Sequence, residues 1–429
     1  MVEDNVDMMA LLSELAPLQR TLASKDTDVA LDIVSQILPG SEIQGYKTGS
    51  KVWSWEIPKR WELESARLTA GDEVLIDSSW HPLHIVNYSQ PFKGRVSHEE
   101  LIGHIHTNPS RPNAIPFHFS FYEQHWGFSI PQEWLGRLNK DNYDVEINCR
   151  FEDGDLNVLS YFLPGRYKET FIICADICHP TQVNDSLTGL AAAVDIMGRL
   201  NEKKDRKYSY LLLVVPETIG SIAYLANNPD VVKNSVGAVF SEMLGTQGPL
   251  VGQRSRRGNT YWDRLLEQAL NNSGCEYKIV DFMKSACNDE KIFDSPGVDI
   301  PAISLTRYPY PEYHTSDDNI DLIDVKRLRE ARDVLQSIID ISEGDYVPVL
   351  KHPGPVFLSG HELYPDWRSD PELLPIWESY IDVMYSLDNA SSIVNLSLEH
   401  EISYEHYKYW CDAFASKGLV EKEDYIFHR

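Results

Sequence analysis

Five side chains spread over some 135 positions carry ligand and acid–base chemistry: His179, Asp185, Glu217, Glu242 and His314. Two imidazoles and three carboxylates form a donor set that suits a borderline divalent cation such as Zn2+. A carboxylate not used as a ligand can serve as a general base. Taken singly, each of these residues has an ordinary structural explanation. What groups them is position, because each follows an apolar run that has the length and composition of a buried strand.

The runs are Phe171 to Ala175 before His179 and Asp185, Tyr210 to Val215 before Glu217, Val236 to Phe240 before Glu242, and Ile303 to Leu305 before the Pro-rich loop that carries His314. An Ala-rich helix is expected from Leu187 to Leu200 after the first run, with others at Tyr261 to Asn272 and Val325 to Ile341. Strands alternating with helices imply an α/β fold with a mostly parallel sheet flanked by helices. Such sheets bind ligands at the carboxyl ends of their strands, and all five residues are expected there. Asp176, Asp317 and Asp318 are the nearest acceptors that could orient the ligand histidines. Asp324 is expected to cap the helix that follows it.

The stretches His179-Pro-Thr-Gln-Val-Asn-Asp-Ser-Leu-Thr-Gly189, Pro216-Glu-Thr-Ile-Gly-Ser221, Ser241-Glu-Met-Leu-Gly245 and Pro311-Glu-Tyr-His-Thr-Ser-Asp-Asp-Asn319 resemble the zinc aminopeptidases of the bacterial leucyl aminopeptidase type. Glutaminyl cyclases share that fold. Within the superfamily, the chain resembles aminopeptidase-like proteins with an inserted small β domain and a C-terminal winged helix. The resemblance implies that His179 and Glu242 bind one zinc with Asp185 bridging, that His314 and Asp185 bind a second, and that Glu217 is the base.

Two positions depart from the family pattern. Thr181 stands where the family has an Asp two residues after the first His, and Thr218 stands where it has the second member of a Glu-Glu pair. The second metal thereby loses a carboxylate, so the expectation is one tight zinc site and a second, weaker one.

With 65 acidic against 39 basic residues the formal charge is -26. Phosphate binding rests on Lys and Arg, so neither nucleic acid nor an anionic membrane is an expected partner. No apolar run approaches the roughly 20 residues of a membrane span. The acidic start, Met1-Val-Glu-Asp-Asn-Val-Asp, lacks the basic and apolar regions of a signal peptide. Six irregularly spaced cysteines suit a reducing compartment, and the cytoplasm is the expected location. Cys174 and Cys178 are expected to be buried thiols and not ligands.

Three domains are expected: residues 1–49 with 127–345 as the catalytic body, 50–126 as the inserted β-rich domain, and 355–429 as the winged helix. Val347 to Pro355 is the expected linker between the body and the tail. The tail, with helices at Leu373 to Leu387, Ser391 to Leu396 and Tyr404 to Lys417, carries 14 acidic and 5 basic residues from Gly354 onward. That balance argues against DNA reading. It favours packing on a neighbouring domain or self-association, and a homo-oligomer formed through the winged helix or the β domain is the expected assembly.

For the substrate, Asp289 is a candidate partner for an ammonium, Arg307 for a carboxylate, and Tyr313 for a wall of the specificity pocket. The combined expectation is a zinc-dependent hydrolase of aminopeptidase type that cleaves an amide beside a free amine in a small peptide or aminoacyl substrate. Two alternatives follow from Thr181 and Thr218. One is a single-zinc deacylase or cyclase-like aminoacyltransferase acting on a modified amino acid or sugar. The other is a non-catalytic assembly protein with a degenerate site.

Overall fold

The computed structural model describes residues 4–428, so the first three residues of the acidic start lie outside it. The chain forms two compact units. One comprises Met1–Arg256 and Cys275–Asp333, the other Arg257–Gly274 and Val334–Arg429.

The first unit is built on an eight-stranded sheet in the order Glu42–Lys47, Asp155–Leu163, Ser209–Val215, Thr170–Asp176, Ser235–Ser241, Ala302–Thr306, Leu250–Gln253, Tyr277–Val280. Its four central strands are parallel. Ile173 lies opposite Leu212 and Val239, and Val239 opposite Ile303. Every residue of these four strands is buried, as expected of a parallel sheet covered on both faces. Continuous apolar character, without alternation, is therefore what made them visible in the sequence. Antiparallel pairing enters on either side of this core, at Asp155–Leu163 and Leu250–Gln253. The expected α/β class holds.

The helix after the first central strand runs Leu187–Glu202. Gly189 lets it approach the Glu242 strand, since a Cβ there would lie 1.9 Å from the Ser241 carbonyl oxygen. The amino-terminal helices, Met8–Leu15 and Lys25–Ile37, start at Asp7 and Ser24, whose side chains accept the Ala10 and Thr27 N–H groups.

A second, four-stranded antiparallel sheet has the order Glu73–Asp77, Arg60–Ala70, Asn142–Glu152, Phe92–Ser97. Asn142–Glu152, which lies beyond residue 126, pairs with two of the others, and its alternating burial marks a sheet covered on one face. His84 to Tyr88 has β-prone residues but is not a strand. Pro82 fixes φ at the start of a short 3-10 turn over Pro82–His84, and Ile85 makes only an isolated bridge to Phe128.

In the second unit the helices Tyr261–Asn272, Leu374–Ser386, Ile393–Glu399 and Tyr404–Ser416 fall within a few residues of their expected spans. Tyr380, Val383, Tyr407, Trp410 and Phe414 are buried there. The stretch expected as a linker is different. Tyr346–Leu350 is a strand paired antiparallel with Val420–Asp424. In a two-stranded ribbon every strand is an edge, so Pro348, which has no N–H to donate, is tolerated.

Candidate metal centre

The four parallel strands end on one edge of the sheet, and the loops that leave them carry His179 and Asp185, Glu217, Glu242, and His314. Each loop holds a non-glycine residue at positive φ: Thr181 (56°), Thr218 (65°), Met243 (50°) and His314 itself (53°). Such conformations cost about 1–3 kcal/mol each and persist where the surroundings enforce them. At Thr218, with ψ at -65° and the Ile219 N–H donating to the Glu217 carbonyl at 2.7 Å, the backbone makes the rare positive-φ γ-turn directly beside Glu217.

His179, Asp185 and His314 each offer a ligand atom, and these atoms all lie within 4.8 Å of one another. His314 Nε2 is 3.1 Å from Asp185 Oδ2, and His179 Nδ1 is 4.0 Å from Asp185 Oδ1. Glu217 Oε2 stands 3.6 Å from His179 Nε2. Ligand atoms of a second group, Asp176, Cys178 and His179, also lie within 4.8 Å of one another. Asp176 Oδ2 is 3.1 Å from His179 Nδ1. The Cys178 thiol is buried and accepts the Glu217 N–H at 3.2 Å, and burial pushes its pKa up. Glu242 is fully buried and takes a short hydrogen bond from Asn288 Nδ2.

The electrostatics show what these residues fit. Burial raises the Glu242 pKa well above the carboxylate range, and Asp176, Asp185, Glu290 and Glu217 raise it further. Burial also raises Glu217, assisted by Asp176 and Asp185 and opposed by His179. Asp289 is pushed up to about 7 by burial and then by Glu217. Burial disfavours a charge on His179, yet Asp185, Asp176 and Glu217 outweigh it and push its pKa up to about 10. For Asp185 burial is again opposed, here by His179 and His314, which hold it below its usual value. Carboxylates are thus crowded in a place short of positive charge. Both Asp176 oxygens, His179 Nδ1 and Asp185 Oδ2 are buried without a hydrogen-bond partner, their close approaches being made outside hydrogen-bond geometry. Buried polar atoms are almost always satisfied, so orphans of this kind are what a divalent cation would take up.

Other residues hold the loops. Asp318 accepts the backbone N–H groups of Val183, Asn184 and Asp185 at 3.1, 2.6 and 3.1 Å and the Tyr310 hydroxyl at 2.5 Å. Its pKa is raised to about 7 by burial and by Asp185. Arg20, also fully buried, donates to the carbonyls of Ile177, His179 and Gln182 at 3.0, 2.5 and 2.9 Å and to that of Leu15. Asp324 caps its helix through the Lys326 N–H at 2.8 Å.

The expected substrate residues are placed as follows. Asp289 is fully buried and accepts the Thr218 N–H at 3.0 Å, beneath the Glu217 turn. Arg307 is 1% exposed and donates to the Leu244, Gly248 and Arg327 carbonyls and to Glu330, so its guanidinium ties the sheet edge together. Tyr313 stacks on His314 at 3.9 Å between ring centroids, with Tyr308 edge-on at 5.0 Å. Asp317 pairs with Arg111 and takes no part in orienting a histidine.

Two contributors went unforeseen. Arg20 sits 159 residues from His179, and no local pattern marks it. Phe117 packs edge-on against both histidines, at 5.6 Å from His179 and 5.2 Å from His314. It belongs to Pro116-Phe-His-Phe-Ser-Phe-Tyr122, whose alternation of aromatic residues was the available signal. The backbone beside it is fastened to the His314 loop. Phe117 N–H donates to the His314 carbonyl at 2.8 Å, Ser316 N–H to the Ile115 carbonyl at 2.8 Å, and Arg111 pairs with Glu312 at 3.3 Å.

The profile of a family described as a domain of unknown function, DUF4910, matches residues 9–345. A Clostridium acetobutylicum protein named "Putative polysaccharide biosynthesis protein with aminopeptidase-like domain" is 35% identical over 322 residues, 74% of this chain and 73% of that protein. A solved structure of a "putative peptidase" from Clostridium acetobutylicum superposes with a TM-score of 0.86 at 28% identity, covering 97% of this chain and 96% of that one. The zinc aminopeptidase of Bacillus subtilis superposes with a TM-score of 0.59 at 12% identity, over 78% of this chain and 94% of the enzyme, which is a likeness of fold. Among the described residues, no helix is long and apolar enough to cross a membrane. The chain belongs to the DUF4910 family and has the α/β fold of the zinc aminopeptidases.

Proposed function

We propose that the chain is a metal-dependent hydrolase of aminopeptidase type. The observation that carries this reading is the convergence of His179, Asp185 and His314 on one point, with the Glu217 carboxylate beside it. His179, Asp185 and His314 would hold zinc, and Glu242, the fourth residue of the family pattern, borders them. A bound zinc ion supplies Lewis acidity and a water whose pKa falls to about 7.

Glu217 is the base. Its side chain keeps 28% of its surface exposed, whereas His179 and Asp185 are enclosed, so it can reach both water and substrate. It takes one proton from the attacking water as the oxygen bonds to the amide carbon. It then gives that proton to the nitrogen as the C–N bond breaks. The γ-turn at Thr218 and the Asp289 carboxylate beneath it keep the Glu217 backbone in place. The excess of carboxylates favours a substrate ammonium, which suits an amide beside a free amine.

Thr218 favours a second reading in one respect. It brings no carboxylate, and its N–H is committed to Asp289, so a single tight zinc, as in a deacylase, accords with the site. The Clostridium acetobutylicum relative, named for polysaccharide biosynthesis, points to amino-sugar amides as substrates to include.

The test begins with elemental analysis of purified protein after zinc repletion, followed by hydrolysis assays on aminoacyl and N-acyl substrates. We expect bound zinc in wild type and its loss in His179→Ala. Metal-free wild type would end the proposal.

A further inference from the structure

An aromatic series leads away from the metal centre. Phe117, packed on His179 and His314, is 5.5 Å from Phe119 between ring centroids. Phe119 is stacked on Phe121 at 4.4 Å and 14°, and Phe121 meets Tyr88 edge-on at 5.3 Å. Phe121 and Tyr88 wall a cleft of about 750 Å3, together with Tyr122 and Phe151. That volume falls within the roughly 300–1,000 Å3 usual for small-molecule sites. Phe119 is 48% exposed and Tyr122 55% exposed, and Trp55 lies edge-on to Tyr122 at 6.1 Å. Aromatic rings on a soluble surface give up water cheaply to a ligand with a flat apolar face.

The polar lining narrows the ligand class. Gln90 and Gln124 offer amides and Glu123 a carboxylate, while the Glu56 carboxylate is paired with Lys51 from outside the lining. The one lysine of the cleft, Lys59, is paired with Asp153 at 3.5 Å. An anionic ligand would meet net repulsion here. An apolar peptide side chain would desolvate the carboxylates without giving them donors, which is costly. A neutral polyhydroxylated ring meets both demands, with its C–H face on the aromatic rings and its hydroxyl groups donating to the carboxylates and amide oxygens.

We propose that this cleft is a carbohydrate subsite, binding a neutral oligosaccharide portion of the substrate while the series from Phe121 to Phe117 leads to the metal centre. The subsite rests on the hydrolase reading only for where the scissile amide lies, so its test is binding without turnover. Full-length wild type, Tyr122→Ala and Phe119→Ala are titrated with N,N′,N″-triacetylchitotriose, maltotriose and trialanine, following saccharide or peptide signals by saturation-transfer NMR and affinity by calorimetry. Zinc content and melting temperature are recorded for each protein. We expect at least one trisaccharide to bind wild type and to bind Tyr122→Ala about tenfold more weakly, with zinc content and melting temperature unchanged. Trialanine, whose free amine suits the metal centre and not the cleft, should bind Tyr122→Ala as it binds wild type. The subsite is overturned if neither trisaccharide binds, if Tyr122→Ala weakens trialanine as much as the trisaccharides, or if Tyr122→Ala binds the trisaccharides as wild type does. Saccharide binding by a protein inactive on every amide would leave the subsite standing and count against the hydrolase reading alone.

Discussion

Glu217 Oε2 lies 3.6 Å from His179 Nε2, on a side chain 28% exposed against 6% for the histidine. The proposed base therefore faces solvent across the ring of an enclosed histidine. Glu217→Gln keeps the shape and removes the basicity. We expect zinc content and melting temperature close to wild type, with hydrolysis of any amide that wild type cleaves reduced about 10²–10⁴-fold. Loss of zinc in this variant would make Glu217 a ligand.

On the proposed reading, Thr218 sets how many ions bind. Calorimetric titration of metal-free wild type should fill one site tightly and a second weakly, and Thr218→Glu should narrow the gap by restoring a carboxylate. Two equally tight sites in wild type would contradict this assignment.

The same residue stores backbone strain. Thr218→Gly removes a positive-φ penalty of about 1–3 kcal/mol but adds about 0.5–1 kcal/mol of chain entropy to the unfolded state. The net expectation is a gain in stability of about 1 kcal/mol, read from denaturant unfolding. Slower hydrolysis of any amide that wild type cleaves should accompany it, because the turn no longer holds Glu217 in one position. A destabilised glycine variant would show that the side chain contributes more than the turn costs.

Arg20→Met leaves several buried carbonyl groups around His179 without donors. Stability should fall by about 3 kcal/mol, and zinc should dissociate faster. A variant that releases zinc at the wild-type rate would limit Arg20 to a role in folding.

Stability of the metal-free protein should depend on pH through Asp289. Its folded pKa of about 7 stands above the ordinary value of 3.8, because burial and then Glu217 oppose its charge. The folded state therefore binds the proton more tightly than the unfolded one. This contribution is complete below about pH 4 and is lost as the pH rises to about 7. Melting temperature of chelator-treated protein should accordingly include a decline across that window, which Asp289→Asn reduces. An unchanged profile in the variant would place the dependence elsewhere.

Much of the sheet was legible because its central strands are continuously apolar, and each breaks at a polar residue on the functional edge. Pro216 follows one strand directly, and Pro309 lies three residues past the end of another. The antiparallel sheet was harder to delimit. Asn142–Glu152 alternates buried and exposed residues and pairs with residues 45 to 92 positions earlier, and sequence texture does not encode such pairing. Arg307 shows a different limit. A lone arginine before a ligand loop can bind a substrate or tie up backbone carbonyls, and only the acceptors around it distinguish the two. The cleft at Tyr122 escaped for a third reason, since its walls come from five separate stretches between Thr48 and Asp153.

The fastening of Ile115 and Phe117 to Ser316 and His314 limits how this architecture can be recombined. An insertion usually behaves as a cassette whose removal leaves its host intact. Excision of residues 50–126, the segment expected as an insertion, would strip the His314 loop of hydrogen bonds that help hold a non-glycine residue at positive φ, so the deleted protein should lose a proposed ligand it still encodes. Chimeras between relatives should therefore exchange residues 111–117 and 312–317 together, from a single parent, whichever parent supplies the rest.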